Sequence, residues 1–130
     1  MNKANHHALL DAVERYFETM FDCNLARFDQ VFAPTAQLHG LRDGQIRVLP
    51  VAEYRRLLAS TPSPDSKKAP RQQEILLVDF ASPDQAMVKV RVRIDTILYL
   101  DYLAFHRIAD AWRVTAKSFY IERRFGAQAA

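Results

Sequence analysis

Between Ala86 and Ile94 the chain alternates apolar and charged residues: Val88, Val90, Val92 and Ile94 are set against Lys89, Arg91, Arg93 and the following Asp95. Successive side chains of a strand point to opposite faces, so this stretch predicts a strand with one face in a core and the other towards solvent. As a helix it would scatter its valines around the circumference. Gln72 to Phe80, Ile97 to Ile108 and Trp112 to Arg123 also read as strands, with turns at Ser82-Pro83-Asp84, Asp95-Thr96 and Ala109-Asp110-Ala111. The middle turn has neither Gly nor Pro. It is placed at Asp95-Thr96 because one unbroken strand of more than about 20 residues is implausible.

Four long strands in succession need an apolar layer laid against them, and the first half of the chain supplies it. From Asn5 to Asp22, Leu9, Leu10, Val13, Tyr16, Phe17, Met20 and Phe21 recur at helical intervals, with Asp11, Glu14, Arg15 and Glu18 between them. Asn24 can cap a second, shorter helix with Leu25, Phe28, Val31 and Phe32 inward, closed by Pro34. Residues 35 to 41 alternate, Arg42-Asp43-Gly44-Gln45 is a turn of the Asp-Gly type, and Ile46 to Leu49 returns as a short partner strand. Pro50 starts a third helix, Val51 to Ser60, with Tyr54, Leu57 and Leu58 inward. The proline-rich run from Thr61 to Pro70 is a connecting loop, expected to be mobile. The order predicts an α+β fold, with three N-terminal helices on one face of a curved, mixed or antiparallel sheet that leaves a conical pocket.

With 130 residues, 49% hydrophobic and 25% charged, the chain is expected to form one domain over 1–130, frayed at 1–6 and 124–130. Cys23 is the one cysteine and has no partner for an internal disulfide; a small apolar role suits it better than that of a nucleophile. No apolar run approaches the roughly 20 residues of a membrane span, and the polar start lacks a signal peptide's apolar segment. A cytoplasmic protein without a membrane partner is expected. The formal charge of +3 arises in the back half, where residues 67–130 carry 11 basic and 7 acidic side chains. These are interleaved as on a solvated sheet face, so nucleic acid is not an expected partner. His6, His7, His39 and His106 show no metal-ligand spacing, and Gly40, Gly44 and Gly126 build no phosphate loop. Neither a metal nor a cofactor is expected.

Three stretches resemble a known superfamily: Phe32-Ala33-Pro34-Thr35-Ala36, Asp101-Tyr102-Leu103-Ala104-Phe105, and Trp112-Arg113-Val114 with Lys117-Ser118-Phe119. The chain is similar over about residues 8 to 123 to proteins of the nuclear transport factor 2 fold, and within them to the SnoaL-like and "Putative lumazine-binding" proteins. The resemblance implies the cone-like α+β fold. It leaves activity open, because that fold carries isomerases, cyclases, dehydratases and assembly modules. The ketosteroid isomerases of the superfamily use a first-helix tyrosine, an aspartate base and a second strand acid. Tyr16 stands at the first position, while Gly40 and Ala104 stand at the other two, so that mechanism is not expected.

Alternation taken strand by strand expects Val88, Val90, Val92 and Ile94 to face inward, with Leu100, Tyr102, Ala104, His106 and Ile108 on the next strand. On the last it expects Trp112, Val114, Ala116, Ser118 and Tyr120. The expected ligand-binding residues are therefore Tyr16, Met20, Tyr54, Tyr102, His106, Trp112, Ser118 and Tyr120, around a small apolar or aromatic molecule. In an enzyme, His106 would be the base and Tyr16 would polarise an oxygen in cofactor-free isomerisation, cyclisation or dehydration. His39 is expected outward unless a bulge before Gly40 turns it in. Asp101, Leu103, Phe105, Phe119 and Ile121 would face outward, Asp101 pairing with Arg91, Arg93 or Lys117, and the apolar row would be covered by a second copy in a homodimer. The alternative to a pocket protein is a noncatalytic dimeric interaction module.

Overall fold

The Asn2 side chain accepts a hydrogen bond from the Asn5 amide at 2.7 Å and starts the first helix, α1 (Lys3–Asp22), in the chain's computed structural model, which describes residues 2–126. The helix thus begins at Lys3, inside the stretch expected to fray; Met1 and residues 127–130 lie outside the described residues. It ends at Cys23, which adopts a left-handed φ of 56° and donates its amide to the Thr19 carbonyl. Asn24 caps α2 (Leu25–Val31) through the Arg27 amide at 2.9 Å, as its position predicted.

The helix ends at Val31 and Phe32 opens β1 (Phe32–Arg42), three residues before the expected strand, so Pro34 sits in an irregular strand start and not at a helix end. A Pro there loses nothing, since the pairing of β1 with its neighbour shifts register between Phe32 and Gln37. Asp43 and Gly44 take φ values of 54° and 81°, the geometry of a tight hairpin turn into β2 (Gln45–Pro50). Helix α3 (Val51–Ser60) follows directly. The loop after it is pinned: the Asp65 amide donates to the Phe21 carbonyl at 2.9 Å, and Lys67 pairs with Asp95 at 2.6 Å.

The remaining strands are β3 (Gln73–Ser82), β4 (Gln85–Ile94), β5 (Ile97–Ile108) and β6 (Ala111–Arg124). They complete a curved, open six-stranded sheet of order β2-β1-β6-β5-β4-β3 in which only β1 and β6 are parallel. The turns without Gly or Pro are made by Asp95 and by Ala109-Asp110, all with positive φ. The core lies between the helices and one sheet face: Leu9, Val13, Tyr16, Phe17 and Met20 of α1 pack with Val88, Val90, Leu103, Phe105 and Val114. Trp112 is buried there too and donates its indole N–H to Asn5 at 3.0 Å.

This arrangement reverses the expected facing of β5. The two-residue turn pairs Ile94 with Ile97, and therefore Val92 with Tyr99, Val90 with Asp101 and Val88 with Leu103. Paired residues share a face, so Tyr99, Asp101, Leu103 and Phe105 point at the helices, while Leu100, Tyr102, Ala104 and His106 point away. Strand β6 begins in the expected phase with Trp112 and Val114, but Phe105 pairs with Val114 and Ala104 with Ala116, leaving Thr115 as the extra residue of a bulge. Beyond it Lys117 and Phe119 face inward, and Ser118 and Tyr120 outward. The apolar row Leu103, Phe105 and Phe119 is thus covered by the chain's own helices.

Candidate functional site

Four elements bring five side chains to one place on the inner face. Tyr16 and Met20, one helical turn apart on α1, meet Tyr54 from α3, Asp101 from β5 and Lys117 from β6. All five are buried, and Tyr16 and Asp101 are fully so. The Tyr16 hydroxyl donates to Asp101 Oδ2 at 2.5 Å, and Lys117 Nζ stands 3.6 Å from the same oxygen. Among the described residues Asp101 Oδ1 has no hydrogen-bond partner. Lys117 Nζ also donates to the Tyr54 hydroxyl at 3.4 Å and lies 5.0 and 5.3 Å from the ring centres of Tyr54 and Tyr16.

The electrostatics follow from burial and pairing. Burial first, and the Asp101 carboxylate second, push the Tyr16 phenol well above its ordinary range. Tyr54 is raised as well, again by burial first, with Lys117 pulling the other way. For Lys117 burial opposes the charge, but Asp101 foremost, with the two tyrosines, outweighs it and holds the ammonium well above its usual value. The cluster thus sets two phenols held in their neutral form around the buried Lys117–Asp101 pair.

Lys117 and Tyr54 are also the link to open space. A cavity of about 230 Å³ runs between α3 and the inner sheet face, walled by Leu38, Leu49, Leu58, Ile94, Tyr99 and Phe119. Lys117 and Tyr54 stand in its lining together with Arg42; among the described residues no carboxylate and no imidazole belongs to it. Two strong donors at the floor share a weak acceptor: the Tyr54 hydroxyl donates to Met20 Sδ at 3.2 Å, and Lys117 Nζ lies 3.9 Å from the same sulfur. An oxygen entering from the cavity would be the better acceptor for both.

Of the expected ligand-binding set, the structure therefore brings together Tyr16, Met20 and Tyr54, of which Tyr54 reaches the cavity. Trp112 is a core residue held by Asn5. His106 lies on the opposite sheet face from Tyr16, its Nδ1 2.6 Å from Thr115 Oγ1, so the two cannot act on one bound molecule. Tyr102 and Ser118 line a separate hollow of about 210 Å³ on that outer face with His39, Met87, Ala104 and Ala116, and Tyr120 projects into solvent. His39 pairs with Ser118 and keeps the outward facing that regular alternation gives it. Cys23 is half-buried with its thiol raised, by burial first and by Asp22 second, which disfavours a thiolate. Among the described residues no cluster of His, Cys, Asp or Glu could hold a metal ion, and no helix is long and apolar enough to cross a membrane.

Sequence reasoning missed Asp101 as an inward residue, and with it Lys117 and Arg42. The signal was present: a two-residue turn at Asp95-Thr96 already sets Val90 opposite Asp101. Ala104 stands where the resemblance placed a second acid, yet it is Asp101, three positions earlier, that bonds to Tyr16.

The model of the family described as "Putative lumazine-binding" matches residues 4–120. The chain belongs to this family. Among solved structures, an NTF2-like protein of unknown function from Silicibacter pomeroyi DSS-3 superposes with a TM-score of 0.83 at 20% identity, over 94% of this chain and all of that one. Another from Shewanella baltica OS155 gives 0.80 at 16% identity, over 95% and 98%. A type 2 hexachlorocyclohexane dehydrochlorinase gives 0.68 at 10% identity, over 98% and 91%. At such identities the likeness is one of fold, and this family member has the NTF2-like α+β cone. No curated protein matches the chain at a significant level.

Proposed function

We propose that the chain is a small-molecule-binding protein whose ligand occupies the cavity under α3, with an oxygen of the ligand on Lys117 Nζ and the Tyr54 hydroxyl. The observation that carries this reading is the pairing of two strong donors with one thioether at the floor of an apolar cavity. An apolar cavity of about 150 Å³ accepts benzene, so 230 Å³ suits a substituted single ring or a small fused one. The lining offers an oxyanion-stabilising pair without a base, which favours binding over proton transfer. The test is a thermal-shift and calorimetry panel of aromatic ketones, phenols and acids, with lumazine included. A ligand at about 100 times its Kd stabilises the fold by about 2.7 kcal/mol. The shift should vanish in Leu57→Trp, which fills the cavity from its exposed rim. A panel without any saturable shift, or a shift that Leu57→Trp leaves intact, overturns the reading.

A second reading, a noncatalytic dimeric module, is favoured by the outer sheet face, where Tyr102 and Tyr120 are 39% and 59% exposed near the Ala104–Ala116 hollow. A second copy would cover them. Phe105, 1% exposed beneath the helices, is not part of that face. Sedimentation of Tyr120→Glu decides: a dimer converted to monomer supports this interface, whereas unchanged mass removes it.

A further inference from the structure

The cavity's second cation carries the inference further. Arg42 is the last residue of β1 and half-buried, and its side chain lines the cavity. Among the described residues it forms no ion pair, although its neighbour Asp43 is a carboxylate; Asp43 lies 3.8 Å from Arg124 instead. Lys117 is neutralised from behind by Asp101, whereas no described residue neutralises Arg42. A partly desolvated guanidinium facing apolar walls is costly unless an anion meets it, and its planar fork matches a carboxylate with two parallel hydrogen bonds.

The sheet register sets the spacing of the two cations. Leu38 is opposite Lys117, Gly40 is opposite Phe119, and Arg42 follows on the same face, roughly 13 Å along the strand from Leu38. Between them the Phe119 ring lies directly over Gly40, so close that a Cβ there would stand 2.3 Å from it. The cavity is therefore a slot with a paired cation and a phenol at its floor, an aromatic wall, and an unpaired guanidinium at its other end.

We infer that the natural ligand is an acid: a carboxylate held by Arg42, an apolar body about one ring long against Phe119, and a carbonyl, enolate or phenol oxygen on Lys117 and Tyr54. This rests on the ligand-binding reading above. The probes are 4-acetylbenzoate, which has the two oxygen functions at opposite ends of one ring, and its neutral counterpart 4-acetylbenzamide, each titrated calorimetrically into wild type and Arg42→Gln. The Arg42 side chain makes no hydrogen bond or ion pair among the described residues, so the variant should keep the wild-type melting temperature. The acid should bind wild type about tenfold or more tighter than the amide, and Arg42→Gln should abolish that preference by weakening the acid alone. Equal binding of both probes, or a preference that survives Arg42→Gln, overturns the acid inference and leaves the cavity reading standing. Binding of neither probe, together with a panel free of saturable shifts, overturns both.

Discussion

The Tyr16 hydroxyl lies 2.5 Å from Asp101 Oδ2, joining positions 85 apart in the chain at a point where neither residue touches water. Replacing Tyr16 by Phe removes, among the described residues, the neutral donor to that carboxylate and leaves it Lys117. The expected cost is about 1.5–3 kcal/mol, the range for a hydrogen bond to a charged group. Urea unfolding of Tyr16→Phe measures it, and a loss under half a kcal/mol (about the surface-substitution background) would show that the bond is not stabilising.

Lys117 and Asp101 should be strongly coupled. Lys117→Met alone strands a buried carboxylate and is expected to cost about 3–5 kcal/mol. Asp101→Asn with Lys117→Met removes both charges while the amide oxygen still accepts from Tyr16, and most of that loss should return. A double-mutant cycle reads the coupling directly; additive effects would contradict a direct pair.

Alkaline pH should expose the same cluster. Tyr16, Tyr54 and Lys117 all have folded-state pKa values raised above their unfolded ones. Their contribution is fully present below the unfolded values of about 10 and is lost as pH rises through the folded ones. Unfolding free energy should thus fall steeply above about pH 10. In Tyr16→Phe the decline should be shallower, with one raised group fewer. Parallel declines in stepped-pH denaturation would count against this assignment.

Gly40→Ala should be destabilising for a purely steric reason, because the added Cβ would stand 2.3–2.5 Å from the Phe119 ring. Overpacking of this kind costs about 1–3 kcal/mol. Adding Phe119→Leu should recover much of it, since the smaller side chain can move aside. Melting curves of the single and double variants test this, and an unaffected single variant would mean the ring yields freely.

The fold was readable from the chain because its signals are local: the period of α1, the Asn24 cap, the Asp43-Gly44 turn, and the valines of β4. The site was less readable because it depends on phase carried from one strand to the next. The turn at Asp95-Thr96 is legible in the chain, yet the residues of β5 taken by themselves point Asp101 outward, and only pairing carried across that turn brings it inward. For β6 no residue pattern announces the bulge at Thr115; the extra residue is visible only in the pairing. Charged side chains ordinarily face solvent, and the buried Asp101–Lys117 pair is an exception that no pattern of residue types announces.

Thr115 has a broader implication. Because the bulge absorbs Thr115 as an unpaired residue, deleting it would leave Lys117 and Phe119 facing the cavity, whereas one residue inserted between Ala116 and Lys117 without a bulge of its own would offer the cavity Ser118 and Tyr120 instead, with no cavity-lining residue substituted. In this architecture a one-codon insertion exchanges a cationic pocket floor for a neutral one, at the cost of leaving the buried Asp101 carboxylate without its lysine. Ligand preference among proteins of this shape could therefore diverge through strand length before it diverges through composition.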